Sequence, residues 1–216
     1  MKKVLMLLLI AVLGGQMAAV AQGAEMLDAV ARLDGTKTAA DYEALEKTFL
    51  HIAATPKAGW LPYYYAALCN AQIGFLYQDD GEKIEPYSLR GEEQAKKAIS
   101  LLDTATHKKE LAEIYTVLSM VYRTRVFINP MTYGRKFGTL SQQVMQQAKQ
   151  LDAANPRTLY LEAWVKCNTP RLWGGDKQLG RQLATQSLQL LEKVPATGIT
   201  PHWGKAEDLR LLEKYK

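Results

Sequence analysis

One line of this sequence occurs twice. Residues 102–115 read LDTATHKKELAEIY and residues 151–164 read LDAANPRTLYLEAW. In each, a Leu-Asp pair closes one helix, a short polar turn follows, and a new apolar helical face begins. Asp103 to Asp152 is a step of 49 residues. A helical hairpin cannot bury its apolar face alone, so a recurring one must stack on its copies. The repeat therefore predicts an all-α chain, an α-solenoid of stacked hairpins, and such surfaces more often bind than catalyse.

The rest of the chain agrees. Tyr42, Leu45, Phe49 and Ile52 recur at spacings of three and four, as do Leu111, Tyr115, Leu118 and Tyr122, and Leu140, Val144, Ala148 and Leu151. These are one-sided apolar stripes of amphipathic helices. No Val/Ile/Thr run alternates at period two around an Asn-Gly or Asp-Gly turn. Helices are expected over about 25–34, 39–54, 60–77, 89–103, 108–127, 140–153, 157–167, 177–193 and 204–214. Thr38 or Asp41 can cap the second, Pro62 suits the first turn of the third, and Asn155-Pro156 suits the start of the seventh. Pro56 to Pro156 spans 100 residues, about two steps, which gives three units of about 50 residues with capping helices at both ends. Their extra length is assigned to loops at 78–88, 128–138 and 168–176.

The N-terminus is of a different kind. Lys2 and Lys3 precede the apolar run Val4 to Leu13, and Ala19-Val20-Ala21 fits a small-x-small cleavage site. Ten apolar residues span only about 15 Å as a helix, against about 30 Å of bilayer hydrocarbon. Residues 1–21 are therefore expected to be a cleaved signal peptide, and 22–216 a single helical-repeat domain delivered to the periplasm with no transmembrane segment left. The whole chain has 27 basic and 22 acidic residues, and loss of Lys2 and Lys3 leaves 25 against 22. With no run of five like charges, a nucleic-acid partner is not expected.

Several stretches carry a resemblance. WLPYYYAAL at 60–68, INPMTYGRKFG at 128–138, LDAANPR at 151–157, TPRLWGGD at 169–176 and PHWG at 201–204 are similar to a family of secreted, tetratricopeptide-repeat-like proteins of Gram-negative bacteria with no assigned activity. Together they span most of residues 40–204. The resemblance implies a helical-repeat fold and little about chemistry. Where that family tends to have three glycines, this chain has Gly174-Gly175-Asp176, and Asp176 is placed to cap the next helix.

No catalytic motif is present: no G-x-S-x-G, no phosphate loop, no dinucleotide fingerprint and no H-E-x-x-H. No catalytic residue, cofactor or metal site is expected. His51, His107 and His202 are far apart and fall near different turns. Cys69 and Cys167 lie in the first and third units. Neighbouring helices pack about 8–10 Å apart, so these cysteines should be too distant for the roughly 7 Å that a disulfide allows. They are expected to be buried and reduced.

The candidate partner-binding residues are Tyr64, Arg123, Arg135, Arg157 and Trp173. Trp60, Tyr63, Tyr64 and Tyr65 are clustered, and consecutive helical residues point about 100° apart, so the tyrosines cannot share one buried face. They either pack with hydroxyls at the surface or present an aromatic contact in a groove. Arg123, Arg125, Arg135 and Lys136 either cap helix ends and loop carbonyls or recognise an acidic group. Trp173 either plugs the neighbouring helix pair or lines a site. The leading functional expectation is a periplasmic scaffold holding a protein or peptide in a concave groove. The alternative is a periplasmic binder of a small organic anion, which needs Arg and Trp facing an enclosed pocket.

Overall fold

The computed structural model describes residues 23–56, 58–193 and 197–216. The expected signal peptide, its junction at Gln22, and Pro195 lie outside the described residues. Among those described there are nine α-helices and no strand. They are α1 (23–33), α2 (Ala39–Ala53), α3 (Leu61–Leu76), α4 (Ile84–Ser100), α5 (Lys108–Ile128), α6 (Pro130–Leu151), α7 (Pro156–Asn168), α8 (Lys177–Leu191) and α9 (Lys205–Lys214). Two 3₁₀ turns, Gly81–Lys83 and Arg171–Trp173, precede α4 and α8. No described helix is long and apolar enough to cross a membrane.

Local chemistry sets the helix starts. The Thr38 side chain accepts from the Asp41 N–H at the start of α2, and the Asn155 side chain accepts from the Thr158 N–H at the start of α7. Asp176 caps α8 by accepting from Leu179 N–H, as its position after two glycines implies. Gly174 takes a left-handed φ of 88°, and a Cβ on Gly175 would collide with the Thr169 carbonyl, so both glycines are required.

The expected loop at 128–138 is instead helix. Asn129 accepts from the N–H groups of Met131 and Thr132, and Pro130 fills the first helical position. The added turns bury Phe137 against Tyr122, with the Arg125 guanidinium 5.0 Å from the Phe137 ring centroid. The loop at 78–88 is likewise shorter than expected, because α4 begins at Ile84.

Consecutive helices pack as pairs: α3 with α4, α5 with α6, and α7 with α8. The first members also touch, α3 with α5 and α5 with α7, forming a central row. These begin at Leu61, Lys108 and Pro156, steps of 47 and 48 residues. The match of Pro56 to Pro156 is displaced, since Pro156 opens α7 whereas Pro56 lies in the turn before α3. The row is tight at Gly74, where a Cβ would stand 2.7 Å from the Thr124 side chain.

The main core runs from α1 to α7 and includes Phe49, Tyr64, Tyr65, Leu68, Ile114 and Leu161. A second, smaller cluster of Ala163, Cys167, Ala184 and Leu211 lies between α7, α8 and α9. Cys69 and Cys167 are both buried and unbridged. Burial pushes both thiols up, which makes them poor nucleophiles.

Candidate functional site

The central row has two different ends. At the N-terminal ends of its helices lies a buried ion pair. The Arg157 Nε of α7 donates to Glu113 Oε2 of α5 at 2.6 Å, and Arg157 Nη2 donates to Oε1. Asn155 Nδ2 also donates to Oε1, at 2.6 Å, and the Tyr64 hydroxyl of α3 donates to Oε2 at 3.2 Å. One carboxylate thus ties three helices together. A segment before α9 covers this end: Trp203 Nε1 donates to the Tyr64 hydroxyl at 2.8 Å, and the Tyr65 hydroxyl donates to the Ile199 carbonyl at 2.9 Å. Burial first, then the Glu113 charge, pushes the Tyr64 hydroxyl well up, so it stays a neutral donor.

Further along the same helices the character changes. Phe75 of α3, Met120 of α5, and Leu161 and Trp164 of α7 line a cavity of about 160 Å³. The Phe75 and Trp164 rings meet edge-on at 5.2 Å, and Phe127 of α5 stands 6.2 Å from Trp164 in the same manner. Gln72 and Gln78 of α3 edge the floor, and Glu207 and Arg210 of α9 form the opposite wall. Tyr160 also lines it, with its ring edge-on to Trp203. The Tyr160 hydroxyl has no hydrogen-bond partner among the described residues. Burial, then the charges of Glu207 and Asp208, pushes it up.

A larger hollow of about 570 Å³ lies between α2 and α4. Its carboxylates and Arg90 are already committed. Arg90 Nε donates to Glu46 at 3.0 Å, Gln94 and Asn70 donate to the same carboxylate, and the Tyr87 hydroxyl donates to Glu43. With Glu43, Glu46 and Arg90 engaged in these contacts, the aromatic groove is the better candidate.

The sequence-derived site residues separate. Tyr64 and Arg157 come together, but both are consumed by Glu113 inside the fold. Arg123 is half-buried on α5, three residues after Met120 and four before Phe127. Its Nε is buried with no partner, and burial lowers the basicity of the guanidinium. Arg135 is exposed on α6. Trp173 is 74% exposed beside Leu172 at 89%, so it plugs no helix pair. Glu113, Phe75, Trp164, Tyr160 and Arg210 were not singled out in the sequence. The signal for Glu113 was a lone acid within the apolar stretch LAEIY.

Fold and groove together define an all-α protein with a small aromatic recess on its central helices. No protein-family model and no curated protein matches the chain. Among solved structures it is similar to the HusA haemophore from Porphyromonas gingivalis, at 28% identity and a TM-score of 0.76, over 88% of this chain and 90% of that one.

Proposed function

We propose that this chain binds a porphyrin, with haem the expected form, in the groove between α3, α5, α7 and α9. The observation that carries the reading is the groove itself: Phe75, Met120, Leu161 and Trp164 offer an apolar, aromatic floor, and Arg210 stands at its rim. A porphyrin is a flat aromatic ring with two carboxylates, so it needs that combination. The likeness to a haemophore supports the same ligand. The reading sharpens the small-organic-anion alternative. The protein-or-peptide scaffold has less support, because Tyr64 and Arg157 are spent within the fold.

No histidine lines the groove among the described residues. Tyr160 is held as a neutral phenol, which is a weak iron ligand compared with a phenolate. The affinity then comes from ring contact and from the carboxylates, with Arg210 as the candidate cation; Arg123 does not line the recess, and its guanidinium lies toward Gly138 of α6. The cavity of about 160 Å³ is below the roughly 300 Å³ at which ligand pockets begin, so the α9 wall must give way for a macrocycle.

The reading includes export and architecture. The basic, apolar and small-residue pattern of residues 1–21 supports delivery to the periplasm. The α3/α4, α5/α6 and α7/α8 pairs, with their touching first helices, support 22–216 as one helical-repeat domain. Arg135 and Trp173, on exposed surfaces away from this floor, remain candidate contacts for a partner protein.

The test is an absorbance titration of haem into the purified mature protein. Saturable one-to-one binding is expected, with Trp164→Ala weakening it at least about tenfold, equivalent to about 1.4 kcal/mol. Unsaturable binding, or a Trp164→Ala variant that binds haem as tightly as the parent, would overturn the assignment.

A further inference from the structure

The helix that walls the groove is fastened by a buried acid that competes with a backbone carbonyl for one serine hydroxyl. The Ser187 hydroxyl of α8 donates to the Pro156 carbonyl at 2.8 Å, and the same oxygen lies within hydrogen-bond distance of Asp208 Oδ2 on α9. A serine hydroxyl has one hydrogen, and a carbonyl only accepts. With that hydrogen given to Pro156, the contact to Asp208 needs a hydrogen on the Asp208 carboxyl. Were Asp208 ionised, the carboxylate and the Pro156 carbonyl would have to share the one Ser187 hydrogen.

The surroundings agree. Asp208 is 0% exposed and its Oδ1 has no partner. An uncompensated carboxylate in such a place is strongly disfavoured. From α7, Asp208 is faced by the Pro156 carbonyl and the neutral Tyr160. Arg157 stands against Gly204, but its charge is engaged by Glu113. From its own helix come Glu207, whose charge repels an Asp208 carboxylate, and Arg210, which is paired to Glu207 at 2.9 Å. No ion pair to Asp208 occurs among the described residues.

The element it fastens is small. α9 has ten residues, of which only Asp208 and Leu211 are buried. It starts at Gly204, whose φ of 118° suits a pivot that other residues adopt with strain. Glu207 and Arg210, on the turn that carries Asp208, are the groove wall. So few buried contacts place α9 among the elements that open locally before the fold does.

We propose that α9 is a proton-latched lid: with Asp208 neutral it lies on Ser187 and narrows the groove, and ionisation of Asp208 releases it. The idea rests on the groove being the ligand site. Burial pushes the docked carboxyl up to about 7, with Glu207 adding to the rise and the Ser187 contact opposing it, whereas an exposed aspartate titrates near 3.9. Below about pH 4 the acid is protonated in both states and closure is at full strength. Between about 4 and 7, opening releases a proton, and the closing constant falls about tenfold per pH unit. Above about 7 both states are ionised and closure stays at its weakest.

Amide hydrogen exchange on the ligand-free protein, expressed as protection factors from pH 5 to 8, tests the latch directly. Protection of the α9 amides should fall about tenfold per unit between pH 5 and 7 and then level off, while α3 and α5 amides keep theirs. Asp208→Asn, uncharged and able to donate to Ser187, should flatten the α9 slope. No α9 slope in the parent, or the same slope in α3 and α5, would overturn the lid, and neither result needs a variant that folds. His202 also fastens the preceding segment, with Nδ1 against the Thr200 carbonyl and Nε2 3.1 Å from Asp34. If the slope survives in Asp208→Asn, that contact holds the lid and the Asp208 assignment falls. In a separate arm, haem release should speed up about tenfold between pH 6 and 7.5 in the parent and little in Asp208→Asn. A latch without haem binding would leave the lid standing and remove only the ligand.

Discussion

The two ends of the central helix row are built from similar helices and put to opposite uses. At the N-terminal ends, Glu113 takes hydrogen bonds from Arg157, Asn155 and Tyr64, and Trp203 seals the cluster. Toward the other ends, Phe75, Met120 and Trp164 turn apolar faces to a recess, and Tyr160 carries a hydroxyl without a partner among the described residues. The first end satisfies its polar groups within the chain and leaves little for a ligand. The second leaves aromatic surface and a free hydroxyl, which is the condition under which binding a ligand replaces water instead of breaking contacts. Position on the row, more than residue type, separates structural aromatics from candidate ligand-binding ones: Tyr64 and Tyr160 are both tyrosines of that row.

The largest effect should come from breaking the polar end. Glu113→Leu leaves Arg157 as an unpaired charge in a site where both side chains are under a tenth exposed. The expected loss is about 3–5 kcal/mol of stability, read as a lower urea midpoint. Adding Arg157→Met removes the stranded charge and should restore most of that loss, because a buried ion pair contributes little net stability over apolar residues of similar volume. A double variant as unstable as the single would mean that the cluster stabilises by its geometry and not by charge matching.

The second effect concerns the rim of the other end. Arg210→Gln should weaken haem binding a few-fold, about 1 kcal/mol or less, because the guanidinium is largely exposed and must leave Glu207 to reach a carboxylate. The same variant should bind the dimethyl ester of protoporphyrin as well as the parent does. Equal losses for acid and ester would assign Arg210 to the lid and not to the ligand. Iron-free protoporphyrin should bind within about tenfold of haem if the rings of Phe75 and Trp164 supply the affinity. Loss of binding with the iron would point instead to Tyr160 or Met120 as a ligand.

Much of this fold can be read from spacing. All nine expected helices are present, because each carries apolar residues at three- and four-residue intervals and most have a cap or a proline at one end. The one long misreading is instructive. Asn155-Pro156 marks the start of α7, and Asn129-Pro130 marks the start of α6 by the same means. Repeat length assigns the second stretch to a loop, yet Phe137 has a buried aromatic partner in Tyr122 that rewards the helix. The site is less legible. Periodicity assigns Phe75, Met120 and Trp164 to a helical face, but only packing decides whether that face meets another helix or a recess. Tyr64 and Arg157 have the chemistry of recognition residues, and Glu113, 49 and 44 residues away, consumes both. No local pattern announces a partner at that distance.

The smallest effect should be at Trp173, which tests whether exposure alone marks function. Its ring is 74% exposed, on a 3₁₀ turn held from beneath by the Gly174-Gly175 geometry and by Lys166 Nζ donating to the Gly174 carbonyl at 3.0 Å. The turn is therefore fixed without the indole. Trp173→Ser should change stability by less than about 0.5 kcal/mol, since nothing packed is removed. Haem affinity should be unchanged, because the ring is outside the recess lined by Phe75 and Trp164. An exposed Trp-Leu pair on a rigid turn is still a costly surface to leave in water, and such anchors dominate protein interfaces. Pull-down of a membrane or periplasmic protein by the parent but not by Trp173→Ser would give the scaffold reading its own surface, separate from the groove. Equal recovery by both would leave the groove as the functional end of this molecule.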